Sequence, residues 1–170
     1  MKKFFLILTL SFALQNFAQK TFEIYNFSSY PIEIASIVTK IDGAATYPEF
    51  TSKPFGLFTI APGDSYILQN AANPYRFPFE SPTSTPYIDK WERLNSASSA
   101  TLLTSPAAWV LGSSQVFSRL HFYINGVYYV PTVPSGVTTV TLASGGGWIM
   151  DYDCSNPGGG TVWNYTIVVY

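Results

Sequence analysis

The chain has 170 residues, a formal net charge of −1, 11% charged residues and 17% aromatic residues. An average soluble domain is about 25% charged, so this chain lacks the Lys and Arg clusters that hold nucleic acid, and its aromatic content excludes a disordered chain. A single cysteine, Cys154, excludes an internal disulfide, and a domain of about 150 residues buries roughly 68–70% of its unfolded surface and needs none.

The sequence opens Met1-Lys2-Lys3 and continues apolar from Phe4 to Leu14, with Ala18 at the exit. A basic start, a short apolar core and a small exit residue predict a bacterial-style secretory signal peptide over 1–18, leaving one domain over 19–170. The apolar run is too short for a membrane-spanning helix, which needs about 20 residues. No cysteine follows it, so no lipoprotein anchor is expected, nor a transmembrane helix after cleavage. Without Lys2 and Lys3 the balance is seven basic to ten acidic residues, a net charge of −3. The expected location is the periplasm, the outer membrane or the extracellular space.

Thr21 to Phe27 and Ile32 to Ile41 alternate as strands do, and Ser28-Ser29-Tyr30-Pro31 between them reads as a turn, so the two are predicted to pair as a hairpin. Asp42-Gly43 opens a loop expected to reach Pro54. Phe55 to Ile60 and Ser65 to Gln69 are predicted strands around Ala61-Pro62-Gly63-Asp64, where proline presets φ and glycine relieves it. This opening, Phe22-Glu23-Ile24-Tyr25-Asn26 with Tyr30-Pro31-Ile32-Glu33-Ile34 and Ala61-Pro62-Gly63-Asp64-Ser65, resembles the start of secreted sandwiches such as the thaumatin-like and aegerolysin-like proteins. The resemblance covers residues 22–65 and implies a sandwich. Thaumatin-like proteins are rich in disulfides, which this chain cannot form, and no functional residue is carried across.

From Asn70 to Pro86 prolines fall at 74, 78, 82 and 86, with Tyr75, Phe77 and Phe79 between them and Tyr87 next. Proline removes the ladder donor, so this stretch is no central strand. It reads either as a lid over the core or as an aromatic binding loop. Tyr87 to Leu94 gathers Asp89, Lys90, Glu92 and Arg93 around Trp91, as a strand or one helical turn. From Leu94 to Met150 the only formally charged side chain is Arg119. Within that span, Asn95 to Ser105 reads as loop or weak strand, and Pro106 to Gly112 as a short helix with Pro near its start and Gly at its end.

Arg119 to Val130 carries the strongest local signal. Asn125-Gly126 supplies the positive φ angles of a type I′ turn between two runs of β-formers. A two-residue loop sets Ile124 opposite Val127, Tyr123 opposite Tyr128, Phe122 opposite Tyr129 and His121 opposite Val130. Leu120, Phe122, Ile124, Val127 and Tyr129 then face the core, and His121, Tyr123, Tyr128 and Val130 face outward. Further strands are predicted at 137–143, 148–153 and 161–170. About nine strands with short connections predict an all-β fold, a single antiparallel two-sheet β-sandwich. The alternative is an eight-stranded outer-membrane β-barrel, which the length and the terminal Tyr170 allow. Against it, the last strand has no clean lipid-facing row, and the chain holds 12 prolines.

Little in the sequence carries chemistry. Asp151-Tyr152-Asp153-Cys154-Ser155-Asn156 starts like a calcium loop, making Asp151 and Asp153 weak calcium candidates, but Asn156 stands where the loop needs Gly and Val162 where it needs Glu. One His and one Cys make a poor zinc site. No Gly-x-Ser-x-Gly elbow supports nucleophilic catalysis, and neither Gly145–Gly147 nor Gly158–Gly160 leads into a phosphate-binding helix. Cys154 is expected to be an inert, partly buried thiol. The expectation is therefore a non-enzymatic binding module without cofactor or resident metal. Its partner is expected to be a cell-envelope or cell-surface protein, met through an uncharged, aromatic-rich surface. The candidate contacts are Tyr75, Phe77, Phe79, Tyr87, His121, Tyr123 and Tyr128. The alternatives are a carbohydrate-binding module and a membrane-active or pore-forming β protein.

Overall fold

A computed structural model describes residues 20–54, 58–69, 74–80, 86–157 and 162–170. The expected signal peptide, residues 55–57 of one expected strand, Pro82 and Gly158–Gly160 lie outside the described residues. Twelve strands are described: β1 (Lys20–Asn26), β2 (Ile32–Ile41), β3 (Glu49–Lys53), β4 (Phe58–Ile60), β5 (Ser65–Gln69), β6 (Lys90–Ser96), β7 (Ser99–Thr104), β8 (Gln115–Ile124), β9 (Val127–Tyr129), β10 (Thr138–Gly145), β11 (Trp148–Ser155) and β12 (Trp163–Val169). One helical turn, α1 (Ser105–Ala108), runs into a 3₁₀ turn at Trp109–Ser114, where the sequence predicts a short helix.

The strands form two sheets and no closed barrel. The first has the order β10-β11-β12-β1-β5, and the second β7-β6-β3-β2-β8-β9, with β4 also beside β2. The fold is the expected all-β sandwich, and two open sheets rule out the barrel alternative for the described strands. The pairing is antiparallel except between β1 and β12, which run parallel from Lys20↔Trp163 to Asn26↔Val169. The core lies between the sheets: Phe22, Ile24, Tyr152, Ile167 and Val169 from one, and Ile32, Ile34, Phe50, Trp91, Leu120 and Phe122 from the other.

The predicted β1–β2 hairpin does not form. The two strands lie in different sheets, and Ser28–Pro31 carries the chain across. The reason is the buried Asn26 side chain at the corner. Its amide donates to the Tyr30 carbonyl (2.8 Å) and the Ile60 carbonyl (3.0 Å). Its side-chain oxygen accepts from the Ser28 N–H (3.2 Å) and the Ser28 hydroxyl (2.7 Å). All four hydrogen-bonding positions of the amide are used, which a buried polar group requires.

The stretch expected to be a loop up to Pro54 contains β3. Its Glu49, Thr51 and Ser52 are buried although polar. Glu49, 4% exposed, pairs with Arg119 across the outer face of the second sheet. Ser52 bridges a break in β2, which pairs with β4 over 32–34 and with β3 over 38–40. The Ser52 hydroxyl accepts the Ile37 N–H at 2.8 Å between those two stretches.

Of the proline-rich segment, Pro74–Arg76 is a 3₁₀ turn, and the residues after it plunge between the sheets. Phe79 packs edge-on against Trp91 (5.2 Å) and Phe50 (5.3 Å), and Phe77 stacks on Tyr165 (6.2 Å). The described part is thus the lid of the two readings. It is locked to the Trp109–Ser114 turn at Gly112, where a Cβ would lie 2.5 Å from the Arg76 backbone. Only glycine permits that approach.

Candidate functional site

The β8–β9 hairpin forms in the predicted register, Ile124↔Val127, Tyr123↔Tyr128 and Phe122↔Tyr129. Asn125 and Gly126 take φ of 54° and 73°, as the turn demands. Strand β9 stops at Tyr129, one residue short of the expected His121–Val130 pairing, but an isolated bridge at Arg119↔Thr132 keeps the same register beyond it.

On the outward face the Tyr123 and Tyr128 rings meet at 4.8 Å, and His121 lies edge-on to Tyr128 at 6.0 Å. On the inward face Phe122 stacks on Tyr129 (5.2 Å), and Tyr129 meets Trp148 of the opposite sheet edge-on (5.1 Å). The outward rings therefore stand on a backbone fixed from beneath. Tyr128 is 42% exposed. Val127, expected in the core, is 51% exposed. It adjoins the turn on a three-residue edge strand, where the opposite sheet does not cover it.

The patch is uncharged at neutral pH. Burial, helped by the Arg119 charge, lowers the His121 pKa and keeps its imidazole neutral. Burial, with Tyr123 adding to it, raises the Tyr128 pKa. Charge lies at the margin. Glu33 of β2 is opposite Tyr123 in register, and Arg119 turns away to Glu49. Beside Tyr123 is a shallow hollow of about 130 Å³, lined also by Glu33, Ala35 and Thr59. The patch thus has aromatic rings in the middle, charge at its rim and a shallow hollow beside it.

The expected contacts are not all brought together. Tyr75 and Tyr87 are exposed, but Phe77 and Phe79 are core residues, 1% and 0% exposed, and cannot touch a partner in this conformation. Their rings fill the gap between the sheets, while His121, Tyr123 and Tyr128 stand on the outer face of one of them. Asp151 accepts hydrogen bonds from Thr141 and Tyr170, and Asp153 from Thr139 at 2.6 Å. These are cross-strand contacts between β10, β11 and the C-terminus. No group of three His, Cys, Asp or Glu residues able to hold a metal ion occurs among the described residues. Cys154 is a free, buried thiol whose pKa is pushed up by burial.

A second concavity was not foreseen. Near the other end of the sandwich, a cleft of about 230 Å³ is lined by Lys40, Asp42, Phe117, Val133, Trp163 and Tyr165 among others. Trp163 and Tyr165 alternate along β12 and stack at 6.3 Å, with their planes 6° apart. The alternation was visible in the sequence, but the approach of Val133 and Lys40 from distant segments was not. Among the described residues, no helix is long and apolar enough to cross a membrane. The chain matches no known protein family, no curated protein and no solved structure.

Proposed function

We propose that this protein is an exported, non-enzymatic binding domain. It captures a cell-envelope or cell-surface protein through the outer face of the β8–β9 hairpin. The observation that carries this reading is the Tyr123–Tyr128–His121 ring cluster, uncharged, partly exposed and held on a fixed backbone. Tyrosines presented in this way give a partner large contacts at little entropic cost. The test is affinity capture from the native host in mild detergent, with mass spectrometry of what is retained. The unaltered protein is expected to retain an envelope or surface protein in stoichiometric amount. A Tyr123→Ser/Tyr128→Ser variant is expected to lose it with an unchanged circular dichroism spectrum. Loss of two central aromatic contacts at about 2 kcal/mol each weakens binding far more than tenfold. Equal retention by the variant would remove the hairpin from the binding surface.

The second reading, glycan binding, is favoured by the cleft at Trp163. A half-buried indole beside Lys40 and Asp42 offers one apolar face and two polar groups to a sugar ring. Quenching of tryptophan fluorescence by soluble glycans, abolished by Trp163→Ala, is the result this reading requires.

A further inference from the structure

Every open sheet must protect its edges, because an unpaired strand offers its N–H and C=O groups to any extended chain. Two of the edge strands here carry such protection, and a third lies beside the lid. Strand β9 is only three residues long. Strand β10 carries a bulge between Thr141 and Ala143. The region of β5 is tied to the lid through the Tyr66 hydroxyl, which donates to the Pro86 carbonyl at 3.3 Å.

Strand β7 has none of these devices. Its sequence, Ser-Ala-Thr-Leu-Leu-Thr, has no charge and no proline. It pairs without a bulge from Lys90↔Thr104 to Leu94↔Ala100, the only irregularity lying at the β6–β7 turn. Among the described residues β6 is its only strand partner, and five of its six residues are exposed. Leu102 points away from the core at 61% exposure.

We infer that β7 pairs antiparallel with β7 of a second copy, joining the two larger sheets across a twofold axis near Leu102. The open hydrogen-bonding groups of an edge fit an extended strand and not a helix. A twofold sets each side chain against its own copy or a near neighbour, so a charged strand would repel itself, whereas β7 has no charge to oppose. With the axis at Leu102, Leu102 meets Leu102, Thr101 meets Leu103 and Ala100 meets Thr104. A six-residue strand buries far less than the roughly 1,200 Å² of a stable interface, so the dimer is weak and depends on concentration.

Sedimentation velocity of the purified protein, from low micromolar to near-millimolar concentration, tests this. The weight-average mass is expected to rise from one chain towards two. Leu102→Lys should abolish the rise and leave the thermal midpoint unchanged, because Leu102 is exposed. Mixing the Leu102→Lys and Leu102→Glu variants should restore the dimer, since opposite charges then face each other. A wild-type protein that stays monomeric throughout overturns the inference. So does a dimer that survives Leu102→Lys, or one lost with Leu102→Lys and not regained in the mixture.

Discussion

Replacing Asn26 with alanine is the sharpest probe of how the two sheets are joined. The substitution removes two donated and two accepted hydrogen bonds at a fully buried position. The Ile60 carbonyl and the Ser28 N–H lose their partner, whereas the Tyr30 carbonyl keeps the Ser28 hydroxyl (3.1 Å). A buried group left unsatisfied costs about 1–3 kcal/mol. Taking about 1.5 kcal/mol for each of the two, towards the low end because part of the corner is near solvent, gives a loss of about 3 kcal/mol. Domains of this kind are stable by about 5–15 kcal/mol, so that is a large share. With a urea slope of about 2 kcal/mol per molar, the unfolding midpoint falls by about 1.5 M. The assay is urea unfolding followed by tryptophan fluorescence and circular dichroism, whose curves must coincide for a two-state reading. Thr21→Val is the control. It removes a single part-buried bond to Asn164 (2.8 Å) and should cost about 1 kcal/mol. Ser28→Ala shares its bonds with Asn26, so the double variant should lose less than the sum of the single ones. If Asn26→Ala costs no more than the control, the amide does not hold the corner and the reasoning fails.

Gly112→Ala should lower the thermal midpoint by several degrees, since the new Cβ meets the Arg76 backbone and not a yielding side chain; a midpoint within one degree of wild type would contradict it. Arg119→Ala strands the buried Glu49 carboxylate and should cost about 2 kcal/mol, whereas Arg119→Met with Glu49→Leu should cost less, and chemical unfolding of both ranks them. Burial lowers the Lys20 pKa from 10.5 to about 8, against an opposing pull from Asp42. The folded state therefore holds fewer protons than the unfolded chain between about pH 8 and 10.5, and stability rises with pH across that window. Burial raises the phenols of Tyr152 and Tyr165, so their contribution is full below about pH 10 and is lost as pH climbs beyond it. Thermal midpoints against pH should therefore rise above pH 8 and turn down above about 10, and Lys20→Met should remove the rise.

The parts of the fold legible in the sequence are those fixed by neighbours along the chain. Asn125-Gly126 set a turn, a register and the outward placement of Tyr123 and Tyr128, and all three are present. Pro106 marked the start of a helical turn, although the helical residues run on past Gly112 to Ser114. What stayed hidden depends on distant residues. Ser28–Pro31 has the composition of a hairpin turn, and only Asn26 reaching the Ile60 carbonyl turns it into a crossing between sheets. Glu49 and Ser52 read as loop until Arg119 and Ile37 supply their partners. Phe77 and Phe79 showed the aromatic spacing of a binding loop, and nothing local reveals that Trp91, Phe50 and Tyr165 are waiting for their rings. The outward half of the candidate site was therefore readable, and the loop half was not.

The parallel ladder between β1 and β12 sets an order of events for the growing chain. A chain delivered with its N-terminus leading presents β1 first, yet one edge of β1 has no partner until residues 163–169 arrive. No hairpin can stand in, because Asn26 sends the next strand to the other sheet. Until then Phe22 and Ile24 have only β5 beside them. Contacts that far apart in sequence are slow to close, which places completion of this sheet at the end of folding. A nascent chain cut short before Trp163 would keep β1 and β11 as bare edges side by side, and holding such a chain away from its neighbours is the work of a chaperone.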